Sequence, residues 1–284
     1  MSAVIEQEQC AKRQTGTRHS KEEPRQVAWR RKGTDYEPIE LPPPDAEVLP
    51  GVRWGHTADL FSPAFWKYQS HAHRDAERFR CHALGRTLVE EVSACLLGGY
   101  GIPAELGLAA FARLRDEGLL SGLAETDELE RALTRPFKVA NASRKYRFAR
   151  QKAKYLCGAI NAVPALTPTR DGRRLRSQLI SITGIGPKTA SWIVRNHLGS
   201  DDVAILDVHI TRASVAAGVF PENADPARNY FELEQRFLEF CAAIDEPASL
   251  LDAIMWDYMR RVFPATKRAL PSLQRHLFAT ATPF

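Results

Sequence analysis

The sequence predicts a mainly α-helical fold behind a disordered N-terminal tail. Its 284 residues are 44% hydrophobic, which is enough to bury a sizeable core. From Trp54 onward, apolar residues recur at the spacing of a helix face. No stretch alternates apolar and polar residues between hairpin turns, so we expect no sheet domain.

Residues 1–50 form the predicted tail. They are rich in Pro, Gln, Glu and Arg, lack apolar periodicity, and end in ELPPPDAEVLPG. Such a composition buries too little apolar surface to fold, and consecutive prolines stiffen a chain. We therefore expect a disordered tail that leads into a proline-rich linker.

Amphipathic helices are predicted next along the chain. LGRTLVEEVSACLL, AELGLAAFARLRDEGLL and TDELERAL repeat apolar residues at steps of three and four, and Thr126 is the predicted N-cap of the third. We interpret SRKYRFARQKAKYLCGAINAV as one helix that buries Tyr146, Ala153 and Leu156. NYFELEQRFLEFCAAI and ASLLDAIMWDYMRRVF are the last two predicted helices.

Between these groups, two helices are predicted to meet at a glycine-rich turn. DGRRLRSQLISI ends before Gly184 and Gly186, and Pro187 can begin the helix PKTASWIVRNHL because the first helical turn needs no proline N–H. Glycines allow close approach of another molecule, and free amides at a helix start bind phosphate. Taken alone, the turn is equally compatible with glycines needed only for their dihedral angles.

Lys188 and Asp207 are the candidate catalytic residues. Lys188 lies in the first turn of its helix, where a cation is disfavoured by roughly 0.3–1 kcal/mol. A neutral amine at such a position is a nucleophile. Asp207 is a natural N-cap for the helix VHITRASVAAGVF, and a carboxylate fixed by backbone amides can also balance a developing positive charge.

The charge pattern predicts a nucleic-acid partner. The net charge is +5, and residues 141–176 hold ten Lys and Arg against the single acid Asp171. A second basic run contains Arg260, Arg261, Lys267, Arg268 and Arg275. Such runs also occur as solvated helix faces, but two of them favour binding to a phosphate backbone. We expect Arg147 and Lys152 to contact DNA phosphates.

Other classes of site and location are not indicated. Five scattered cysteines without a C-x-x-C pair argue against a disulfide framework. The set His71, His73, Cys81 and His82 matches no standard zinc spacing, and we expect no metal and no cofactor. The sequence has neither an apolar run of membrane-spanning length nor a signal peptide, so we expect a location inside the cell. We also expect a monomer, in the bacterial cytoplasm and associated with the nucleoid.

The segments ITGIGPKTASWIVRN and VAILDVHITR resemble the signature of the helix-hairpin-helix DNA glycosylases, the superfamily that includes endonuclease III and the 8-oxoguanine glycosylases. The resemblance spans about residues 84–260 and is strongest to the short bacterial and archaeal 8-oxoguanine glycosylases. It implies two helical subdomains flanking a DNA-binding cleft, one made of residues 51–85 plus 206–284 and one of residues 86–205, which carries the hairpin.

The resemblance also implies a mechanism. Lys188 matches the nucleophile of the bifunctional glycosylase/lyases, Asp207 matches their catalytic carboxylate, and Gly184 and Gly186 match the phosphate-binding hairpin. A modified nucleotide in double-stranded DNA would flip into the cleft, and Lys188 would attack C1′ as the base leaves. The Schiff base that results would permit strand cleavage.

Some features depart from the family pattern. No four-cysteine cluster follows Asp207, and the chain continues some 25 residues past the point where the short enzymes end. We expect 8-oxoguanine as the excised base, with other modified bases, such as hypermodified phage bases, as the alternative. A glycosylase without a lyase step and a non-catalytic DNA-binding module are also compatible with the sequence. Tyr100 and Trp256 are the aromatic candidates for the base pocket.

Overall fold

A computed structural model describes residues 25–79, 82–99, 101–122 and 125–269 of the protein, with side chains as far as residue 261. The mainly α-helical prediction is confirmed. In these ranges the helices are α1 (Pro63–His73), α2 (Leu88–Leu97), α3 (Ala104–Asp116), α4 (Thr126–Thr134), α5 (Ala149–Ala162), α6 (Gly172–Ile180), α7 (Pro187–Leu198), α8 (Val208–Ala216), α9 (Pro226–Ala243) and α10 (Ala248–Ala269). The strands are β1 (Gln26–Lys32), β2 (Asp35–Leu41), β3 (Glu47–Leu49), β4 (Val52–Arg53), β5 (Phe137–Val139) and β6 (Ala142–Arg144), paired as three antiparallel hairpins.

The prediction of a disordered tail and linker over residues 1–50 is wrong for residues 25–50. Strands β1 and β2 pair antiparallel around Gly33, and β3 pairs with β4 directly after the proline segment. The Gln26 side chain donates hydrogen bonds to the carbonyl oxygens of Pro42 (2.9 Å) and Gly55 (2.8 Å), which fixes the proline segment against the domain. Residues 1–24 lie outside the described residues.

The sequence pattern did not predict the β1–β2 hairpin because the inner face of this hairpin carries a cation. Arg30 is buried and donates to Glu37 Oε2 (2.7 Å) and to the carbonyl of His71 in α1 (2.6 Å), while Trp29 and Tyr36 point to solvent. The alternation of inner and outer residues is therefore regular in space. At the centre of the hairpin, however, the inner residue is the charged Arg30 and the outer residues are the aromatic Trp29 and Tyr36. A search for alternating apolar and polar residues therefore misses these strands.

Two helix boundaries also differ from prediction. The helix expected from Ser143 begins at Ala149, because Ser143 and Arg144 belong to strand β6. Tyr146 is buried ahead of the helix, where its hydroxyl donates to the Leu97 carbonyl (2.6 Å). Helix α4 is capped by Glu125 in a capping box with Glu128, one residue before the predicted cap Thr126.

The buried apolar residues form two cores. One extends from Val92 to Val203 and is built on α2 to α7; the other combines residues 41–66 with residues 204–259. Helix α7 packs on α6 and α2 in the first core, and α8 packs on α10 in the second. The subdomain limits 51–85 plus 206–284 and 86–205 remain a prediction, and these two cores are what supports it.

Two buried ion pairs join the cores. Arg176 of α6 pairs with Glu234 of α9, whose Oε1 also accepts from the Ser191 hydroxyl of α7 (3.0 Å). Arg195 of α7 pairs with Asp252 of α10 (2.9 Å). Both pairs involve the hairpin helices, so they set where α7 lies relative to the second core. Among the helices that the structure describes, none has the length and apolarity needed to cross a membrane.

Candidate active site

The two glycines of the turn between α6 and α7 differ in conformation and in surroundings. Gly184 has φ +92°, and a Cβ placed there would lie 2.7 Å from Cδ2 of the Tyr155 ring on α5. Its conformation and its packing both exclude a side chain. Gly186, the N-cap of α7, has φ −87°, and a Cβ there would meet nothing within 4 Å. The fold itself does not require glycine at position 186, so the space left there is available to a molecule outside the chain.

Lys188 is the second residue of α7, directly after Pro187. Its side chain is partly exposed. The predicted helix over residues 187–198 is confirmed with the same limits, and so is the place of Lys188 in the first helical turn. Lys188 therefore lies at the positive end of the helix dipole, two residues after Gly186.

Asp207 is the N-cap of α8, as predicted. Its Oδ1 accepts hydrogen bonds from the backbone amides of His209 (2.8 Å) and Ile210 (2.9 Å), and the side chain is partly exposed. Lys188 and Asp207 thus stand at the N-terminal ends of two successive helices that belong to different cores. Their catalytic roles stay a prediction.

Lys152 differs from the surface cation that the sequence suggested. Its amine donates to the carbonyl oxygen of Leu96 (2.5 Å) at the end of α2 and reaches that of Gly98 (3.5 Å). Burial first, and then the positive charge of Lys188, lowers the pKa of Lys152. The amine is partly buried at the end of α2, a position that does not support the expected phosphate contact.

Arg147 and Phe148 lie at the start of α5. Arg147 is exposed, as a phosphate contact requires, and its guanidinium stacks 5.2 Å from the centre of the Phe148 ring. Phe148 is 41% exposed and has φ +146°, a conformation that phenylalanine rarely adopts. It shares a face of α5 with Lys152 and Tyr155, four and seven residues later, and that face is turned to the hairpin. The sequence pattern gave no sign of Phe148.

Of the two aromatic candidates for a base pocket, the structure describes only Trp256. Tyr100 lies outside the described residues. Trp256 is partly buried on α10, with the His209 ring edge-on at 6.3 Å and the Arg260 guanidinium 4.8 Å from its own ring centre. Burial, opposed by the charge of Asp207, lowers the pKa of His209. Trp256 therefore lies next to the helix that Asp207 caps, and its place in a base pocket stays a prediction.

The described residues contain no group of three or more His, Cys, Asp or Glu side chains arranged to hold a metal ion. Of the four residues weighed as zinc ligands, Cys81 lies outside the described part of the chain. His71 and His73 belong to α1, and burial lowers the pKa of both.

The profile of the 8-oxoguanine DNA glycosylase family matches residues 72–246, which is more than half of the chain and includes the hairpin, Lys188 and Asp207. The chain belongs to the 8-oxoguanine DNA glycosylase family. The resemblance to helix-hairpin-helix glycosylases, seen in the sequence of the hairpin, is thereby confirmed.

Individual family members agree with this assignment. The 8-oxoguanine DNA glycosylase/AP lyase of Metallosphaera sedula is 32% identical over 155 residues, which cover 52% of this chain and 72% of the relative. The enzyme of the same name from Methanocaldococcus jannaschii is 30% identical over 121 residues, which cover 40% of this chain and 58% of the relative.

Solved structures share the fold. The crystal structure of the Methanocaldococcus jannaschii 8-oxoguanine DNA glycosylase superposes with a TM-score of 0.52 at 25% identity, over 69% of this chain and 94% of the other. The Thermotoga maritima 8-oxoguanine DNA glycosylase gives 0.54 at 24% identity, over 69% and 96%. At 24% identity, the similarity to the Thermotoga maritima structure supports the fold alone.

Proposed function

We propose that this protein is a bifunctional DNA glycosylase and AP lyase that excises 8-oxoguanine from double-stranded DNA, with Lys188 as its nucleophile. The observation that carries the proposal is the position of Lys188 in the first turn of α7, two residues after Gly186, where a Cβ would meet nothing within 4 Å. Membership of the 8-oxoguanine DNA glycosylase family and the relatives named glycosylase/AP lyase support the activity and the base.

DNA binding in this proposal begins at the hairpin. The unpaired amides at the start of α7 donate to a phosphate, which can approach because residue 186 has no side chain. Arg147 adds a positive charge at the start of α5. Phe148, exposed and strained on the same face, inserts into the stack where the modified nucleotide leaves it.

The chemistry begins when the flipped nucleotide meets Lys188. The neutral amine attacks C1′, a bond forms between C1′ and Nζ, and the glycosidic bond breaks as the base departs and takes up a proton. Asp207 stabilises the positive charge that develops on the sugar. Opening of the sugar ring gives a Schiff base, loss of a proton from C2′ expels the 3′ phosphate, and water then releases the lysine.

Borohydride trapping tests this proposal. An 8-oxoguanine duplex incubated with the enzyme and borohydride should yield a covalent protein–DNA adduct, because reduction converts the Schiff base into a stable amine. The adduct should be absent with Lys188→Gln. Base release without an adduct would leave a glycosylase without the lyase step, and binding without either would leave the non-catalytic module. Duplexes with other modified bases in the same assay test the choice of base.

The role of Asp207 can be separated from its helix cap. Asp207→Asn keeps a side-chain oxygen for the two amides but removes the charge, so we expect a loss of about 100-fold in the rate of base release with little loss of stability. Asp171→Asn is the matched control, because Asp171 caps α6 in the same way through the amide of Arg174 (2.9 Å). Equal rates for the two variants would contradict the proposed role of Asp207.

We further propose that the enzyme acts as a monomer in the cytoplasm, at the bacterial nucleoid. Sedimentation should then give the mass of one chain, 31.8 kDa. A fluorescent fusion that failed to overlap with stained DNA would contradict the location.

A further inference from the structure

Helix α5 presents a tyrosine to the α6–α7 turn. Tyr155 packs its ring on Gly184, and the ring atoms nearest to a Cβ added at Gly184 are Cγ, Cδ1 and Cδ2. These atoms form the inner half of the ring, so the outer half extends past the glycine. The hydroxyl oxygen at its tip accepts a hydrogen bond from Nε2 of Gln151 (3.0 Å), one helical turn earlier. The hydroxyl therefore lies within one ring length of the turn, on the side toward Phe148.

We propose that the Tyr155 hydroxyl, oriented by Gln151, donates a hydrogen bond to a DNA phosphate that lies between the hairpin and Phe148. This inference rests on the DNA binding proposed above. It adds an uncharged donor to a surface on which the other candidate contacts are backbone amides and the cation Arg147.

The proton of this hydroxyl is available to a molecule outside the chain. A tyrosine hydroxyl has one proton to donate and lone pairs with which it accepts. Because the Gln151 amide donates to the oxygen, the proton of Tyr155 points elsewhere. Within the part of the chain that the structure describes, Tyr155 donates to no other group. Tyr155 is partly exposed and Gln151 is exposed, so the site is open to solvent.

The surrounding charges favour an anion as the acceptor. The ten Lys and Arg of residues 141–176 are followed by Lys188 and Arg195, and Asp171 is the single acid of residues 141–200. Asp171 is engaged as the cap of α6. Carboxylates that contact α6 or α7 from other elements are buried in the protein: Glu91, Glu234 and Asp252. A phosphate supplies the missing negative charge, and it accepts a stronger hydrogen bond than a neutral group does.

The spacing along α5 fits a phosphate between the two ends of the proposed DNA contact. Tyr155 follows Phe148 by seven residues, which is about 10 Å along a helix axis. One strand of duplex DNA advances about 3.4 Å per nucleotide, so this distance corresponds to roughly three nucleotides. The hydroxyl, which reaches back from Tyr155 to Gln151, lies within that span.

Removal of the hydroxyl alone tests the inference. Tyr155→Phe keeps the ring on Gly184, so the melting temperature should not change. Fluorescence anisotropy with a lesion-free duplex should give a Kd about tenfold higher than that of wild type, because a hydrogen bond to a charged acceptor is lost. Tyr36→Phe is the matched control, since it removes an exposed hydroxyl from β2 and should leave the affinity unchanged.

Salt dependence separates this contact from a contact made by a cation. The hydroxyl is uncharged, so the slope of log Kd against log salt should be the same in Tyr155→Phe as in wild type. Arg147→Gln should reduce that slope by about 0.9. A reduced slope in Tyr155→Phe would show that the substitution displaces charged groups, and the proposed contact would then be wrong.

The orienting role of Gln151 has its own readout. Gln151→Leu leaves the hydroxyl in place without its partner, so binding should weaken. Tyr155→Phe should then have a smaller effect in the Gln151→Leu background than in wild type, because the two residues act as a unit. Additive effects would contradict a hydroxyl oriented by Gln151.

Methylphosphonate scanning identifies the acceptor. Duplexes in which one phosphate at a time is replaced by an uncharged methylphosphonate are bound to wild type and to Tyr155→Phe. At one position the difference between the two proteins should disappear, and a difference that persists at every position would exclude a phosphate. Unchanged affinity in Tyr155→Phe would also overturn the inference. Should that variant fail to fold, Gln151→Leu, which alters an exposed residue, replaces it in the scan. Absence of DNA binding by wild type would count against the proposed function instead.

Discussion

Phe148 combines two features that each destabilise the folded protein. A residue other than glycine at φ +146° is strained, at a cost of order 1–3 kcal/mol, and an aromatic ring 41% exposed to solvent gains little from burial. Neither feature helps the core, since Phe148 is not among the residues that build it. Strain and exposure at one residue, on the face of α5 turned to the hairpin, indicate that the ring is kept for contact with another molecule.

Phe148→Ala should therefore impair the reaction and spare the fold. Stacking of a ring on bases contributes about 1–3 kcal/mol, so we expect single-turnover base release to slow by roughly 5- to 150-fold, with an unchanged melting temperature. Phe231→Ala is the matched control, because Phe231 is 50% exposed and also lies beneath an arginine, Arg176 (4.8 Å). A similar effect of both substitutions would show that exposed aromatic surface, and not the position of Phe148, is responsible.

Sequence patterns located some residues of the site and not others. Lys188 and Asp207 could be found because each stands at the start of a helix, Lys188 in the first turn of α7 and Asp207 as the N-cap of α8, and that placement depends on a few neighbouring residues. The surroundings of Lys152 and Phe148 could not be predicted from neighbouring residues. Whether Lys152 faces water or the end of α2 depends on contacts 56 residues apart, and no pattern in the neighbouring residues indicates the unusual φ of Phe148.

The α6–α7 hairpin is the element on which the proposed DNA binding depends, and its two glycines allow structure and function to be separated. Gly184→Ala meets both an unfavourable φ and the Tyr155 ring, so it should lower the free energy of unfolding by at least about 2 kcal/mol. Gly186→Ala meets nothing within 4 Å and should cost less than about 1 kcal/mol.

DNA affinity should follow the opposite order. A methyl group at residue 186 occupies the space that the phosphate needs, so Gly186→Ala should weaken binding to any duplex by about tenfold or more and reduce the salt dependence of binding. Urea denaturation and fluorescence anisotropy at two salt concentrations provide the two measurements. Unchanged affinity in Gly186→Ala would contradict a phosphate at this turn.

At the level of elements, helices were predicted better than strands for a physical reason. The limits of α7 follow from Pro187 at its start and Gly199, with φ +63°, at its end, and both signals lie in the local sequence. Strands β1 and β2 are stabilised by contacts of Arg30 with α1, more than 40 residues away. No local pattern of apolar residues records such a contact.

The two cores are joined by two buried ion pairs. Helix α7, which carries Lys188, belongs to the first core, and α8, which Asp207 caps, belongs to the second. The two proposed catalytic groups are therefore aligned only if the cores keep their relative position. Arg195 and Asp252 form one of the two buried links. Burial raises the pKa of Asp252 to about 6, against the attraction of Arg195 and with a smaller contribution from the charge of Asp207.

This carboxyl group makes stability depend on pH in a defined direction. A folded-state pKa of about 6 lies above the ordinary value of 3.8, so the folded protein binds the proton more tightly than the unfolded chain does. Protonation of Asp252 thus adds stability as pH falls from 7 toward 4. The Asp252→Asn variant has no titratable group at this position, so the free energy of unfolding of wild type relative to that variant should rise by about 1 kcal/mol between pH 7 and pH 5.

Urea denaturation of both proteins at the two pH values measures this difference, and acid effects elsewhere in the chain cancel in the comparison. A difference that stays constant with pH would mean that Arg195 keeps the carboxylate charged over the whole range. The link between the cores would then be a permanent ion pair. With the expected result, mild acid neutralises one of the two links between the cores while the fold gains stability.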